Sequence, residues 1–217
     1  MSLALPARVR TEDQVEAILA AATPLFAEHG YDAVTTRQLA AAVGLNIATV
    51  HHHVGTKPEL YARVVARLYE QEIAVAEAFL KETETARPKD AAAFRDLLFG
   101  LLDRLLDLMV AEPARARLYA RRWLNPHDAS SALADAHAEA FNESLRKVVA
   151  RAKQAGVSLQ GLDVPLLLRS FDWLTVGYFV TGLGQGGRDD PYAPENVVRF
   201  KAHLRQYLCR MLALQEQ

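Results

Sequence analysis

From Val15 to Phe26 apolar residues recur every three or four positions, at Val15, Ile18, Leu19, Ala22, Leu25 and Phe26. This is the period of one buried helical face. Thr11-Glu12-Asp13-Gln14 has the capping-box spacing that opens such a helix, and Gly30 is placed to end it. Pro24 lies inside the run, where its missing N–H predicts a kink. A second capping box, Thr35-Thr36-Arg37-Gln38, starts a short helix with Leu39, Ala40 and Val43 facing one core, and Gly44 closes it. Leu45 packs inward, Asn46 caps a further short helix from Ile47 to Val54, and Ile47 and Val50 are its expected inward residues. Thr56-Lys57-Pro58-Glu59 is a third capping box, with proline in the first turn where it does no harm. It opens a long helix carrying Leu60, Val64, Leu68, Ile73 and Phe79, broken over residues 83–88.

The rest of the chain alternates helical pattern with breakers and shows no convincing strand. Leu97, Leu98, Leu101, Leu102, Leu105, Leu106 and Met109 cover more than half of one helix, so it is expected to be buried on several sides. Glu112-Pro113 restarts a shorter helix through Trp123, and Asn125-Pro126-His127-Asp128 reads as a turn. A long helix to about Gln154 ends at Ala155-Gly156, another runs from Asp163-Val164-Pro165 to about Gly182, and the last spans Pro194 to about Leu214. The glycine-rich stretch from Gly182 to Gly187 follows a helix rather than a strand, so it reads as a mobile connection and not a dinucleotide loop. The expected fold is all-α, with about nine helices, and without an internal repeat.

Composition narrows the class. With 217 residues and 51% hydrophobic content the chain can build one large or two small cores. No apolar run is long enough to span a membrane, and residues 1–10 are too short and interrupted for a signal peptide, so a cytoplasmic protein is expected. Cys209 is the only cysteine, which leaves no internal disulfide or cysteine-based metal site. The motifs of serine hydrolases, phosphate loops and zinc proteases are absent, so neither enzyme, cofactor nor metal is expected. His51-His52-His53 does not change this, because consecutive helical residues point about 100° apart and cannot share an ion.

The net charge of −1 does not suggest a nucleic-acid binder, and the first sixty residues carry Arg8, Arg10, Arg37 and Lys57 against six acids. Distribution matters more: between Asp32 and Glu59 there is no acid, only Arg37, Lys57 and the histidines. Two short helices joined across a glycine form a helix-turn-helix, whose second member can enter a DNA major groove. Asn46, Ala48, Thr49, His51 and His52 lie on or near its outer side. Thr49 and Ala48 suit a thymine methyl, Asn46 can pair with adenine, and the histidines can donate to phosphate or guanine. Lys57 and the amides opening its helix can hold a phosphate, with Thr36 and Arg37 in the matching place on the preceding helix.

These residues carry a resemblance. Ile18-Leu19, Leu25 through Tyr31, Thr36-Arg37-Gln38-Leu39-Ala40, Ala42-Val43-Gly44-Leu45, Thr49-Val50-His51-His52-His53 and Thr56-Lys57 with Glu59-Leu60 resemble, in order and spacing, the DNA-binding domain of the tetracycline-repressor (TetR) family. Asn46, His51 and Val54 stand where that family usually has Ser, Tyr and Phe. The resemblance covers about the first quarter of the chain. It implies an arm and helix-turn-helix DNA-binding domain over 1–56 and a helical effector-binding and dimerisation domain over 57–217. It also implies phosphate contacts at Thr36 and Lys57, and an effector cavity among the helices of residues 90–180. Phe99, Leu102, Met109, Trp123, Phe141, Trp173 and Tyr178 are the candidates to line it, and its effector should be small and largely apolar. Arg104, Arg121, Asn125, His137, Asn142, Asp172 and Thr175 are candidates to orient that effector.

The family's dimer mode implies an interface from the last two helices, through Leu167, Phe171, Leu174, Tyr178, Phe200, Leu204, Tyr207 and Met211. Gly177 and Thr181 would allow close approach there. The function so implied is that of a homodimeric repressor, released from a near-palindromic double-stranded operator by a small molecule. The alternatives are a regulator of the same fold without a small effector and, more remotely, a helical enzyme using the C-terminal cavity.

Overall fold

The structure, a computed structural model, describes residues 11–124, 132–158, 161, 163–183 and 190–212. Among them there are nine helices and no strand: α1 Thr11–Ala33, α2 Thr36–Ala42, α3 Ile47–Val54, α4 Lys57–Ala86, α5 Ala91–Ala111, α6 Ala114–Leu124, α7 Ala132–Gln154, α8 Val164–Thr181 and α9 Pro194–Met211. The turn expected at 125–128 and most of the glycine-rich stretch lie outside the described residues.

Helix α1 keeps helical geometry through Pro24 and kinks instead at Gly30, at φ 80° and ψ 168°. A side chain at Gly30 would also press on Arg121, whose Nη1 would lie 3.1 Å from its Cβ. Helices α1 to α3 close over Ile18, Phe26, Leu39, Val50 and Val54. The first turns of α4 complete this core, because Tyr61 meets the rings of Phe26 and Tyr31 edge-on at 5.1 and 5.2 Å. A cut between residues 56 and 57 therefore passes through packed side chains.

Helix α4 has 30 residues and a length of about 45 Å. Its later turns pack along α7 and against α5, and α6 lies across both α1 and α8. The same hydrophobic cluster continues from α1 to α9, so no flexible linker separates the two halves. Arg67 reinforces the crossing: it donates to Glu16 at 3.0 Å and to the Thr23 hydroxyl at 3.1 Å on α1, and it also pairs with Glu112.

Candidate nucleic-acid interface and effector cavity

The helix-turn-helix is set by local hydrogen bonds. Gln38 N donates to Thr35 Oγ1 at 3.2 Å, and Thr35 N donates back to Gln38 Oε1 at 2.8 Å, which fixes the start of α2. At its end Leu45 N reaches Ala40 O at 3.0 Å and Gly44 N reaches Ala41 O at 3.2 Å. This paired closure requires the positive φ of 67° that Gly44 supplies. Asn46 Oδ1 then accepts from both Thr49 N, at 2.8 Å, and Thr49 Oγ1, at 3.0 Å, opening α3.

Asn46, Ala48, His51 and His52 are exposed and Thr49 is partly exposed on the outer side of α3; Thr36 and Arg37 are exposed on α2. One expectation is corrected: Ile47 is 46% exposed rather than inward. An eight-residue helix makes its inward contact through Val50 and Val54, one turn apart, and Ile47 in the first turn projects past it. The pairing with adenine expected of Asn46 is also constrained. Its oxygen is committed to the cap, which leaves the Nδ2 group to donate.

At the start of α4, Thr56 N donates to Glu59 Oε2 at 2.7 Å, and that bond is the main cause holding the Glu59 carboxyl below its usual range. Glu59 thus occupies part of the positive end of the helix, and Pro58 offers no N–H. The Lys57 amide is the donor of this turn left to meet a phosphate. Lys57 Nζ rests 4.3 Å from the Tyr31 ring centre and 3.4 Å from Asp32 O, so the ammonium is steadied beside the helix-turn-helix.

The second site is a cavity of about 230 Å³ enclosed by α4, α5, α6, α7 and α8 and the end of α9. Leu101, Leu102, Leu105 and Met109 of α5 form one apolar wall, facing Phe141, Leu145 and Val148 of α7. Of the expected lining residues, Leu102, Met109, Trp123 and Phe141 meet at this space, together with the polar candidates Asn142, Asp172 and Thr175.

The structure takes the other candidates elsewhere. Phe99 lies under the Arg205 guanidinium at 5.3 Å, Trp173 is 51% exposed, and Tyr178 stacks on Phe200 with its hydroxyl donating to Asn196 O at 3.0 Å. Their helix register turns them toward α9 or solvent. Arg104 pairs with Glu82, His137 with Glu70, and Arg121 with α1, while Asn125 lies outside the described residues.

Sequence reasoning missed the polar corner of the cavity, made by Tyr69, Glu72, Tyr119 and Arg169. Glu72 Oε1 accepts from Tyr119 OH at 3.0 Å and from the buried Arg115 at 3.2 Å; Arg115 also donates to Leu68 O at 2.8 Å and to Gln71. Burial nevertheless pushes the Glu72 carboxyl up to about 7, against the pull of Arg115 and Tyr119. Burial likewise raises Asp172 to about 6, opposed by Arg169 at 3.6 Å, and Tyr69 to about 12. A signal for Glu72 does exist in the sequence: it interrupts the four-residue series Leu60, Val64, Leu68, Glu72, Ala76 on the buried stripe of α4.

The residues expected at a dimer interface take different settings in the chain. Leu167, Phe200 and Leu204 are buried within the chain, and Phe171 lines the cavity and meets Tyr207, with ring centres 6.2 Å apart. Leu174 and Met211 are partly buried against the chain's own core, and Tyr207 is half-buried. The apolar side chains left in solvent on α8 are Leu166, Trp173 and Val180, seven residues apart, with Val198 exposed on α9. That spacing repeats every two helical turns and makes a single stripe.

This architecture defines a helix-turn-helix module carried on a cavity-bearing helical body. Residues 18–64 match the family described as bacterial regulatory proteins, tetR family. It is 28% identical over 126 residues to the HTH-type transcriptional dual regulator CecR of Shigella flexneri, covering 54% of this chain and 55% of the relative. The chain thus spans about half the length of that curated relative.

Two solved structures share the fold. The TetR family transcriptional regulator PfmR from Thermus thermophilus has a TM-score of 0.63 at 21% identity, over 92% of this chain and 99% of that one. The transcriptional regulator FadR from Bacillus subtilis, in complex with stearoyl-CoA, has a TM-score of 0.67 at 16% identity, over 93% and 99%. No helix among the described residues is long and apolar enough to cross a membrane, and no cluster of three metal-ligating side chains occurs among them.

Proposed function

We propose that the chain is a ligand-responsive transcriptional repressor. It acts as a homodimer whose two α3 helices read half-sites of a near-palindromic operator, and it releases DNA when a small, largely apolar molecule fills the cavity. The observation that carries this reading is the double role of α6. Tyr119 and Trp123 line the cavity, while Arg121, on the same helix, donates to Ala27 O at 2.7 Å and Glu28 O at 2.5 Å near the end of α1. A ligand that favours one setting of α6 therefore acts on the scaffold of the helix-turn-helix, shifting a population between DNA-competent and released forms. The stearoyl-CoA complex of FadR, which shares this fold, supports a ligand for this chain.

Thr36, Arg37, Lys57 and the amide of Lys57 position the phosphates, and Asn46, Ile47, Ala48, Thr49, His51 and His52 face the groove. The outward stripe of Leu166, Trp173 and Val180 supplies a two-fold self-association surface. Residues 1–56 and the first turns of α4 serve the DNA, and the rest of 57–217 serves the effector and partner subunit. The test starts with selection of bound duplexes from a random pool, followed by gel shift on the selected operator. Thr49→Ala and Lys57→Ala should each weaken binding while leaving the dimer intact in sedimentation. Wild-type affinity in both variants overturns the docking, and a selected site without two-fold symmetry overturns the dimer.

A further inference from the structure

The effector cavity is not uniformly apolar. On its α4 and α8 sides Glu72 and Asp172 bring two carboxyl groups to a space also bounded by Tyr69, Tyr119, Trp123 and Phe141. Tyr69 stacks on Tyr119 with ring centres 5.1 Å apart, and it meets Phe141 at 6.3 Å.

We propose that the effector is an organic cation, a lipophilic amine or quaternary ammonium, whose charged end sits between Glu72 and Asp172 and whose apolar body lies against α5. The inference rests on the reading of this cavity as the effector site and adds the charge of its occupant.

A carboxylate against an apolar space is costly unless a cation or several donors meet it. The protein supplies only part of that compensation. Arg115 stands behind Glu72 and divides its donors among Leu68 O, Gln71 and Glu72. Arg169 lies over the rings of Trp123 and Trp173, at 4.8 and 5.8 Å, and comes no closer than 3.6 Å to Asp172. Both acids stay raised despite these arginines, so burial outweighs the opposite charge already present.

A ligand cation would complete the compensation, and the surrounding ring faces would attract it further. An anionic ligand would meet two carboxyl groups with Arg169 as the guanidinium bordering the space. A neutral hydrocarbon would leave both acids as they are.

The full chain is titrated calorimetrically with three molecules sharing one apolar body: phenylpentyltrimethylammonium, phenylpentanol and phenylpentanoate. The cation should bind at least about tenfold more tightly than the alcohol, the equivalent of one charge contact in a partly buried site. Asp172→Asn should remove most of that advantage. Glu72→Gln, checked for folding by circular dichroism, should reduce the advantage as well. Equal or tighter binding of the alcohol or the carboxylate overturns the charge assignment and leaves the cavity reading standing. Cation preference that survives both substitutions overturns the placement between the two acids. Failure of all three molecules to bind overturns the effector site itself.

Discussion

The stretch from Thr35 to Leu60 and the cavity between α4 and α8 are built by opposite means. In the first, the structure is local: three caps and one glycine turn, each closed by residues at most five apart, set two short helices whose outer side chains stay in solvent. In the second, almost every deciding contact joins residues far apart in the chain, such as Arg115 to Leu68 and Glu72, or Tyr119 to Glu72. A surface that meets a rigid external partner can be specified by short-range rules. A pocket that must stay open inside a core requires polar groups held from several helices.

The strongest test of that contrast is Arg115→Met. Removing the buried guanidinium leaves Glu72 without its ion-pair partner, and truncating one side of a buried pair costs about 3–5 kcal/mol. Urea unfolding should register that loss, and the double substitution Glu72→Leu with Arg115→Met should recover most of it. If the single variant loses less than about 1 kcal/mol, the polar corner is not a structural element of the cavity.

The local region is probed at Asn46, where cap and DNA contact separate. Asn46→Ala removes the acceptor for Thr49 N and should cost about 1 kcal/mol of stability. Asn46→Asp keeps an acceptor in the same place, so stability by denaturant titration should stay within about 0.5 kcal/mol of wild type. In the proposed docking the new carboxylate enters the groove of a polyanion, so operator affinity should still fall in both variants. Retained affinity in Asn46→Asp would remove Asn46 from the interface.

This difference in construction explains what is legible in the sequence. The nine helices among the described residues follow, with nearly correct ends, from period and caps, because Thr35, Asn46, Thr56, Asp90 and Asp163 all accept from the backbone three residues on. Periodicity misplaces Ile47 because it tells which residues share a face, not how far a short helix overhangs its support. Tyr178 and Trp173 are wrongly assigned to the cavity because an apolar residue on α8 has three destinations, the cavity, α9 or the stripe on the surface, and hydrophobicity does not choose among them. Glu72 escapes sequence reasoning although its position on the buried stripe of α4 is visible, since the Arg115 that makes its burial tolerable comes from 43 residues away.

The two regions meet at Arg121, and substitution there tests whether they communicate. Arg121→Met keeps much of the aliphatic stem but removes the donors to Ala27 O and Glu28 O. Operator affinity without ligand and ligand affinity without operator should each change little. The ratio between ligand-free and ligand-bound operator affinity should shrink by about fivefold, near 1 kcal/mol of coupling. An unchanged ratio would move the coupling to another contact, with Arg67 and its bonds to α1 the next to examine.

The smallest expected effect concerns pH and belongs to the cavity alone. Asp172 rises from an ordinary 3.8 to about 6 on folding, and Glu72 from 4.5 to about 7. Between those values the folded chain binds protons that the unfolded chain has released, so stability falls as pH rises from about 4 to 7. Asp172 is faced by Arg169 and remains partly open to water, which screens its share. Replacing it in Asp172→Asn should therefore recover only roughly 2 °C of the fall in melting temperature across that range, with the remainder following Glu72. At the cap beside the helix-turn-helix, Glu59 is shifted the opposite way, downward, by its hydrogen bonds to Thr56. An Asp172→Asn profile parallel to wild type from pH 4 to 7 would show that the carboxyl at 172 is fully solvated, and would weaken its assignment as one side of a cation site.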